Sequence, residues 1–361
     1  MSFKKSLTCF DLFSGIGGFR QGVKEATNSL GISSKWVGRC DIDPYANKLY
    51  DFCYDVSNEL LLDDVTNVTG PLNPKTTNDT NTINKIKCEL PNFDLLTGGF
   101  PCQAFSSMGK RKGLADPRGT LFYAIELILR AKSPRYFILE NVRGLLTIDN
   151  KNTINSMRYI LESLDYNVAI WLLDAKDYGL PQTRRRVFIV GSKINNNLSD
   201  LEKPKNVCKS KYKTTWHLLE KKVDKKYYLS EKIKKTILSN GTGGYNYKSE
   251  YNLLIARPLT FTMHKMHRAS QDNYYSDSFI NGKYDLNLNS LIEDNKGKNN
   301  IRRITPKEAL LLQGFNEEFI NKALISGLSD TRLYMLAGNS IPTNLVKSVT
   351  THLLGDTKCL I

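Results

Sequence analysis

Near its amino terminus the chain reads LTCFDLFSGIGGF over residues 7–19. The apolar run at 7–13 has the length and composition of a buried strand, and the glycines after it permit a tight turn into a helix starting near Phe19. Glycines at such a turn let the backbone approach a ligand and point amide groups at its polar end. Many proteins contain one turn of this kind, so residues 7–19 predict a strand, a turn and a helix without yet indicating a function.

The first half of the chain repeats this alternation of short apolar runs and amphipathic stretches. Further strands are predicted at residues 35–40, 93–97, 135–140, 168–173 and 186–190. Helices are predicted at residues 19–30, 45–54, 121–131 and 153–164. This order is typical of a doubly wound α/β domain with a mostly parallel sheet, which binds ligands at the carboxyl ends of its strands.

Two segments depart from the alternation. Residues 64–93 are rich in Thr and Asn and contain Pro71 and Pro74, so we expect a surface loop or an insertion there. After Gly191 lysines crowd the sequence, which indicates a domain boundary. The predicted division is a main domain at 1–191 and 331–361, a smaller domain at 192–300 and a connecting segment at 301–330. Short helical patterns are expected at 308–313 and within 333–354.

The composition favours a nucleic-acid partner. The 361 residues carry a net charge of +15, and neutralising phosphates with Lys and Arg releases counterions, although lysine-rich chains are sometimes only soluble. The seven cysteines form no Cys-x-x-Cys pair, which argues against a disulfide framework or a structural zinc site and favours a reducing compartment. Because no apolar run has the length of a membrane span, we expect a cytoplasmic protein without a membrane partner.

Acidic residues follow the second predicted strand. Asp41 lies about 20 residues after the glycine turn, where a carboxylate can accept hydrogen bonds from ribose hydroxyls. Ile42 beside it could pack on an adenine face. The glycine spacing G-x-G-G differs from G-x-G-x-x-G, which favours a smaller adenosyl ligand over a dinucleotide.

Cys102 opens a polar loop directly after the strand predicted at 93–97. A cysteine in that position can be exposed and activated, because its thiolate is a strong nucleophile whose pKa responds to local charge. The alternative is a buried, inert cysteine. The neighbours Pro101 and Gln103 and the basic, glycine-punctuated run at 109–113 favour the nucleophile, since that run suits a loop closing over an anionic substrate.

Two further strand ends carry ionisable groups. Glu140 ends the strand at 135–140, and a half-buried Glu can protonate a ring nitrogen, although an isolated Glu is usually structural. Arg184, Arg185 and Arg186 precede the last predicted strand. Alternation along a strand would send Arg184 and Arg186 to one face, where they could hold a base or a phosphate, and leave Arg185 in solvent.

Taken in order, these segments resemble the cytosine-5 DNA methyltransferase family in its bacterial, restriction–modification form. The resemblance covers almost the whole chain and lies in residues 11–20, 41–45, 64–65, 98–106, 118–121, 140–142, 182–186, 303–308, 313–315 and 338–342. It implies that Cys102 adds to carbon 6 of a flipped cytosine. It also implies that Glu140 protonates nitrogen 3 and that Arg184 and Arg186 steady the base.

The resemblance further implies S-adenosyl-L-methionine as the cofactor and no metal. The residues expected to line the cofactor site are Phe13, Ser14, Gly15, Gly17, Gly18, Asp41, Ile42, Asp64, Val65, Pro101, Leu121, Asn339 and Ser340. The smaller domain then corresponds to a target-recognition domain.

DNA contacts are expected in two places. The loop after Cys102 and a segment at 257–273, here called the recognition segment, supply side chains that reach phosphates and base edges. They are Gln103, Ser106, Lys110, Arg111, Arg257, Thr260, Thr262, His264, Lys265, His267, Arg268, Gln271 and Asn273. Either Thr260 or Thr262 could be the threonine that the family often places against the target. The alternative is an ordinary loop and strand. His264 and His267 have no cysteine pair nearby, so zinc is not expected.

The expected partners are double-stranded DNA and a cognate restriction endonuclease encoded separately, and the chain is expected to be a monomer. Two rival functions remain at this stage. A tRNA cytosine methyltransferase shares the catalytic core, but the Cys-Phe-Thr tripeptide of that branch is absent here. An inactive DNA-binding homologue is the other rival, although Cys102 and Glu140 are both present.

Overall fold

The computed structural model divides the chain into two compact units. Unit 1 comprises Met1–Asp174, Arg185–Val207 and Leu345–Ile361, and unit 2 comprises Ala175–Arg184 and Cys208–Asn344. The structure describes residues 6–70, 80–100, 121–194, 202–209, 211–239, 249–265, 267–268, 270–285, 290–292, 294, 297 and 299–355. The two units are defined by how compactly the chain packs and not by function. The predicted functional division at residues 191, 300 and 330 therefore stays a prediction.

Unit 1 is built on a seven-stranded sheet. Its strands are β1 (Ser6–Leu12), β2 (Ser33–Cys40), β3 (Leu60–Leu62), β4 (Leu95–Gly99), β5 (Tyr136–Val142), β6 (Asn167–Asp174) and β7 (Arg185–Ser192). Their order is β3-β2-β1-β4-β5-β7-β6, and β7 runs antiparallel to both of its neighbours while the other pairs are parallel. The predicted doubly wound, mostly parallel sheet is confirmed. Only three residues long, β3 is too short to show a pattern in the sequence.

The helices of unit 1 pack their apolar residues on this sheet. They are α1 (Gly18–Ser29), α2 (Pro44–Cys53), α3 (Thr66–Thr69), α4 (Thr80–Glu89), α5 (Leu121–Lys132) and α6 (Asn152–Glu162). The prediction of a loop over 64–93 is wrong for α3 and α4. A helix needs only a narrow apolar stripe, and Ile86 of α4 is buried in the core although its neighbours are polar.

The core lies where α5 covers the central strands. Phe122, Ile125 and Ile128 of α5 are fully buried in one cluster with Phe10 and Leu139 of the sheet. Rigid packing of this kind fixes the ends of β1, β4 and β5, from which the predicted site residues emerge. The strand ends are therefore held in place independently of any ligand.

Unit 2 has short, irregular elements. They are α7 (Glu231–Leu238), β8 (Tyr274–Ser276), α8 (Asp277–Ile280), β9 (Lys283–Asp285), β10 (Ser290–Ile292), β11 (Ile301–Arg303), α9 (Pro306–Leu312), α10 (Glu317–Ile325) and α11 (Asp330–Asn339). The predicted helix at 308–313 is confirmed as α9, which begins with a capping box of Thr305 and Glu308. The pattern at 333–354 is two helices, α11 and α12 (Thr343–Gly355), because Pro342 separates them. None of the helices in the described ranges is long and apolar enough to cross a membrane.

Candidate active site and cofactor site

The turn between β1 and α1 adopts the left-handed backbone conformation at several positions. Gly15 and Gly17 have φ angles of 52° and 81°, and Phe13 shares this region with a φ of 55°. Residues other than glycine rarely adopt such φ angles, so the surrounding structure holds Phe13 in this conformation. The amide of Ser14 donates to the carbonyl of Cys40 at 3.0 Å, which ties the turn to the end of β2.

Asp41 completes this turn from the end of β2. Its carboxylate accepts from the amide of Gly15 at 2.7 Å and from the amide of Asp43 at 2.8 Å. Burial raises the pKa of Asp41, and these two amides oppose that rise. Each carboxylate oxygen keeps a second lone pair for a ligand. Next to it, the side chain of Ile42 is 75% exposed, which leaves its face available for stacking.

Tyr54 packs against the glycine turn, and Arg20 packs against Tyr54. A Cβ on Gly17 would lie 2.5 Å from the ring of Tyr54, whose hydroxyl donates to the carbonyl of Gly17 at 3.2 Å. The guanidinium of Arg20 lies 4.6 Å from the centroid of the same ring and donates to Glu59 at 2.5 Å. The sequence analysis missed both supporting residues, because nothing in a short motif indicates which distant aromatic will fill the space beneath it.

The other residues predicted for the cofactor site lie in both units. Ser14, Gly18 and Val65 are buried, Leu121 begins α5, and the carboxylate of Asp64 accepts from the amide of Thr66 at 2.8 Å. Asn339 ends α11 in unit 2, and Ser340 follows it. Pro101 lies outside the described residues.

A buried carboxyl group joins β1 to β4 beneath the site. Asp11 is fully buried and pairs in register with Thr97, whose hydroxyl donates to it at 2.7 Å. Burial raises the pKa of Asp11 to about 7, with a further rise from Asp41 and opposing effects from Thr97 and Arg20. This group therefore titrates near neutral pH, although no motif pointed to it.

Glu140 and Arg186 form an ion pair in unit 1. Nε of Arg186 lies 2.7 Å from Oε1 of Glu140, and both side chains are largely buried, with 17% and 13% of their surface exposed. Gly99 pairs in register with Glu140, and a Cβ on Gly99 would lie 3.2 Å from Oε2 of that carboxylate. Any larger residue at position 99 would crowd the carboxylate, so glycine keeps this space open.

Asn141 holds the backbone that leads toward Cys102. Its Nδ2 donates to the carbonyl of Phe100 at 3.2 Å, and its Oδ1 accepts from the amide of Val142 at 2.8 Å. The side chain is buried, so losing either bond would leave a polar group unsatisfied. The sequence analysis gave Asn141 no role. Several predicted residues follow Phe100 and lie outside the described residues, namely Cys102, Gln103, Ser106, Lys110 and Arg111.

The three consecutive arginines lie in different environments. Because β7 begins at Arg185, the alternation argument does not extend to Arg184. Arg185 is 48% exposed and pairs with Asp174 at 3.1 Å, whereas Arg186 pairs with Glu140. Arg184 belongs to unit 2, where it is buried and donates to backbone carbonyls.

In unit 2 the two ends of the recognition segment are bound to each other. The amide of Arg257 donates to Oδ1 of Asn273 at 2.8 Å, and Nδ2 of Asn273 donates to the carbonyl of Arg257 at 3.2 Å. The guanidinium of Arg257 pairs with Glu250 at 3.0 Å. Arg257 and Asn273 therefore close the segment at its base.

Arg268 braces the middle of the segment. Its guanidinium pairs with Asp272 at 3.0 Å and donates to the hydroxyl of Thr260 at 3.0 Å. His267 lies between the hydroxyl of Tyr274, at 3.2 Å, and the guanidinium of Arg303, at 2.8 Å. Burial and then the charge of Arg303 lower the pKa of His267, so its ring is neutral at pH 7.

The remaining predicted contact residues are more accessible. Lys265 and Gln271 are exposed, and Thr262 and His264 are partly exposed. The ring of His264 contacts the carbonyl of Phe261 at 3.0 Å. A small cavity of unit 2 lies beside this surface and is lined in part by Thr260, Met263, Gln271, Arg303 and Tyr334. The accessible polar groups thus sit on a scaffold that the partly buried arginines of the segment, Arg257 and Arg268, hold together.

Comparison with known proteins gives a consistent result. Residues 7–355 match the family described as C-5 cytosine-specific DNA methylase. The chain is 33% identical to the Type II methyltransferase M1.ScrFI of Lactococcus lactis subsp. cremoris, over 95% of this chain and 77% of the relative. It is also 33% identical to the Type II methyltransferase M.HaeII of Haemophilus aegyptius, over 96% and 92%.

Solved structures show the same fold. A methyltransferase of Entamoeba histolytica, EhMeth, superposes with a TM-score of 0.70 at 19% identity and covers 98% of this chain and 99% of its own. The Dnmt2 methyltransferase of S. pombe superposes with a TM-score of 0.67 at 20% identity, covering 98% and 100%. At these identities the likeness concerns the fold alone.

Proposed function

Since the chain belongs to the C-5 cytosine-specific DNA methylase family, we propose that Glu140 and Arg186 hold the target cytosine in its active site. The reaction transfers a methyl group from S-adenosyl-L-methionine to carbon 5 of a cytosine in DNA. The observation that carries the proposal is the ion pair of Glu140 and Arg186 at 2.7 Å, beside the strand that leads to Cys102. A carboxyl group and a guanidinium so placed match the ring nitrogen and carbonyl oxygen of a cytosine.

The residues of unit 1 fit the cofactor. Asp41 retains lone pairs for ribose hydroxyls, the exposed Ile42 offers an apolar face to adenine, and the glycine turn presents backbone groups to a polar ligand. Gly17 leaves no room for a side chain between the backbone and Tyr54. When bound, S-adenosyl-L-methionine supplies an electrophilic methyl group. We include Phe13, Ser14, Gly15, Gly18, Asp64, Val65, Pro101, Leu121, Asn339 and Ser340 in the same proposal.

The chemistry requires a nucleophile and a proton donor. Carbon 5 of cytosine is a weak nucleophile, and addition of the Cys102 thiolate to carbon 6 turns the ring into an enamine. Glu140, ion-paired with Arg186 before the base binds, takes up a proton from solvent as the cytosine enters. It gives that proton to nitrogen 3 as the sulfur–carbon bond forms, so no negative charge accumulates on the ring. Carbon 5 then takes the methyl group, and a base removes the proton from carbon 5. The thiolate leaves carbon 6 as nitrogen 3 returns its proton to Glu140. Because the base must first leave the stack, Arg186 steadies it once it is extruded.

The residues that precede Cys102 in the chain are held by specific contacts with β5. Asn141 anchors the carbonyl of Phe100, and Gly99 leaves space for the Glu140 carboxylate. Both contacts lie immediately ahead of the predicted nucleophile in the chain. A small error in the position of a nucleophile costs a large part of the rate, so such anchors support a catalytic role for the residues that follow.

We also propose that the recognition segment selects the DNA sequence. Gln271 and Lys265 are the exposed candidates for base or phosphate contacts, and His264 and Thr262 are partly exposed. The side chains of Arg257, Arg268 and Asn273 are engaged within unit 2, so any role in DNA contact would add to their bonds with protein groups. Gln103, Ser106, Lys110 and Arg111 complete the proposed DNA contacts.

The similarity to Type II methyltransferases supports a further proposal about partners. A separately encoded restriction endonuclease would cut the same sequence that this protein protects. We propose that the protein acts on DNA as a monomer and works in the cytoplasm, where bacterial DNA lies.

Methyl transfer from labelled S-adenosyl-L-methionine tests the function directly. The purified protein should label duplex DNA and leave tRNA unlabelled, and bisulfite sequencing of the product should place the methyl group on cytosines of one short sequence. Labelling of tRNA in place of DNA would favour the rival RNA-modifying activity. Absence of transfer to either substrate would favour an inactive homologue.

A further inference from the structure

Arg184 is buried in unit 2 and binds three backbone carbonyls. Its guanidinium donates to the carbonyl oxygens of Leu259 at 2.7 Å, Gly338 at 2.8 Å and Ser340 at 2.7 Å. Only 2% of the residue is exposed. Charged donors make stronger hydrogen bonds than neutral ones, and a planar guanidinium can serve several fixed acceptors at once. These bonds join the start of the recognition segment to the end of α11.

The end of α11 is a favourable place for a buried cation. The helix runs from Asp330 to Asn339, so the carbonyl of Gly338 belongs to the last turn, whose carbonyls lack partners within the helix. The helix dipole also places partial negative charge at this end. Arg184 thus satisfies groups that the helix leaves open and gains electrostatic stabilisation in return.

Gly338 brings the same two segments into direct contact. A Cβ on Gly338 would lie 2.5 Å from the carbonyl carbon and oxygen of Thr260, so any side chain there would push the recognition segment away. Gln182 adds a second link, since its side chain accepts from the amide of Leu259 at 3.0 Å and donates to the carbonyl of Leu312 at 2.8 Å. The backbone of Leu259 and Thr260 is therefore held by contacts with residues outside the segment, in addition to the bonds that the segment makes with its own side chains.

We propose that Arg184 is a positioning residue that fixes the start of the recognition segment on α11, so that its loss changes which DNA sequences are methylated. The inference rests on the proposed function of that segment and replaces the expected contact of Arg184 with the flipped base. It separates the two arginines of the motif, because Arg186 pairs with Glu140 and Arg184 orders the backbone that carries Thr260.

The test compares four variants of the full-length protein on a randomised duplex library with S-adenosyl-L-methionine. Arg184→Ala removes the three bonds, Arg184→Lys keeps the charge without the planar donor set, and Gly338→Ala disturbs the same contact without touching the guanidinium. Arg185→Ala is the control, since Arg185 is half exposed and pairs only locally with Asp174. Discrimination between the preferred duplex and its single-base-pair variants should fall about tenfold or more in the first three.

Hydrogen exchange gives a second measurement on the same proteins. The amides of residues 256–262 should exchange faster in the Arg184 and Gly338 variants, whereas the pH profile of kcat should match the parent. If the Arg184 variants lower kcat equally on all duplexes and keep the parent's preference, Arg184 acts on the base and the inference is wrong. Parent-like preference in Gly338→Ala would also overturn it. Should Arg184→Ala fail to fold, Arg184→Lys and Gly338→Ala decide, and a parent protein that methylates no duplex refutes the proposed function instead.

Discussion

The glycine turn of unit 1 and the recognition segment of unit 2 are both supported by arginines, but the supports differ. At the turn, Arg20 stacks on Tyr54 and pairs with Glu59, while the backbone angles of the glycines set the shape. At the segment, Arg184 and Arg268 bind carbonyls, a carboxylate and a hydroxyl directly. The turn is shaped mainly by the backbone angles of its own glycines, and the segment is shaped by side-chain hydrogen bonds from Arg184 and from its own Arg268.

This difference predicts how each region responds to substitution. A turn that carries its own conformational preference should lose ligand affinity when its glycines change, because the backbone can no longer adopt the required angles. A segment fixed by buried hydrogen bonds should instead lose order when a donor is removed. The proposed chemistry at Cys102 and at the Glu140–Arg186 pair depends on neither region alone, so variants of Cys102 and Arg186 should give the largest losses of rate.

The largest effect is expected at the nucleophile. Cys102→Ser should lower methyl transfer by at least about 10³-fold, because a hydroxyl is a far weaker nucleophile at neutral pH than a thiolate. Cofactor and DNA binding should persist, as measured by calorimetry and by gel shift with a duplex containing the preferred site. Cys208 of unit 2 offers a control, since Cys208→Ser should keep near-parent turnover. Near-parent turnover of Cys102→Ser would refute the covalent mechanism.

The next largest effect separates neighbouring arginines of β7. Arg186→Ala should lower kcat about 10²-fold, since it removes the partner of Glu140 and the proposed contact with the base. Arg185→Ala should leave kcat within about threefold, because Arg185 is half exposed and pairs with Asp174 of β6, whereas Arg186 pairs with Glu140. Single-turnover methylation of the preferred duplex measures both. Equal losses at positions 185 and 186 would show that the pairing with Glu140 has no catalytic consequence.

A smaller effect is expected at the glycine turn. Gly17→Ala should raise the KM for S-adenosyl-L-methionine about tenfold or more, because both the φ angle of 81° and the ring of Tyr54 oppose a side chain. Gly31→Ala is a matched control. It also has a positive φ, of 74°, but its Cβ would meet nothing within 4 Å and it lies beyond the far end of α1. If both variants raise the KM equally, then backbone strain in general explains the weaker cofactor binding, and a change at the glycine turn does not.

The smallest effect concerns stability. Asp11 has a pKa raised from 3.8 to about 7, so the folded state holds this proton more tightly than the unfolded state does. The proton on Asp11 stabilises the folded state fully below pH 4, and this stabilisation is lost as the pH rises through 7. The free energy of unfolding of the parent therefore decreases between pH 4 and pH 7. Asp11→Asn should flatten this slope and stabilise the protein at pH 8 by about 1–3 kcal/mol.

Urea denaturation at pH 5 and pH 8 measures this change. Asp177→Asn is the control, because that carboxyl is exposed and its loss should leave the slope as in the parent. A parent-like slope in Asp11→Asn would show that another group carries the titration.

Sequence patterns revealed much of unit 1 and little of unit 2. The six longer strands and four of the five helices of ten or more residues between them were predictable, because each has an apolar run with a clear period. The short strand Leu60–Leu62 and the polar helix Thr80–Glu89 were not, since neither presents enough periodic residues. The partners of Asp41 and the ion pair of Glu140 follow from strand ends meeting at one edge, which the fold class already implies.

The environments of the arginines could not be predicted. Arg257 and Arg268 have the composition expected of DNA contacts, yet both are bound to carboxylates of their own unit. Arg184 was placed by an alternation that requires a strand, and β7 begins one residue later. A sequence shows which residues can donate hydrogen bonds, but tertiary structure decides which carboxylates and backbone carbonyls accept them. The roles of Asn141 and Tyr54 could not be predicted for the same reason.

The antiparallel direction of β7 has its own consequence for the active site. Val142 at the end of β5 lies opposite Arg186 near the start of β7. Had β7 run parallel to β5, the seven-residue length of β5 would have separated the start of β7 from that edge by roughly 20 Å. In this antiparallel pair, the register between β5 and β7 also decides which residue of β7 lies opposite Val142. A slip of one residue along β7 would set Arg185 or Val187 opposite Val142 and turn Arg186 to the other face of the sheet.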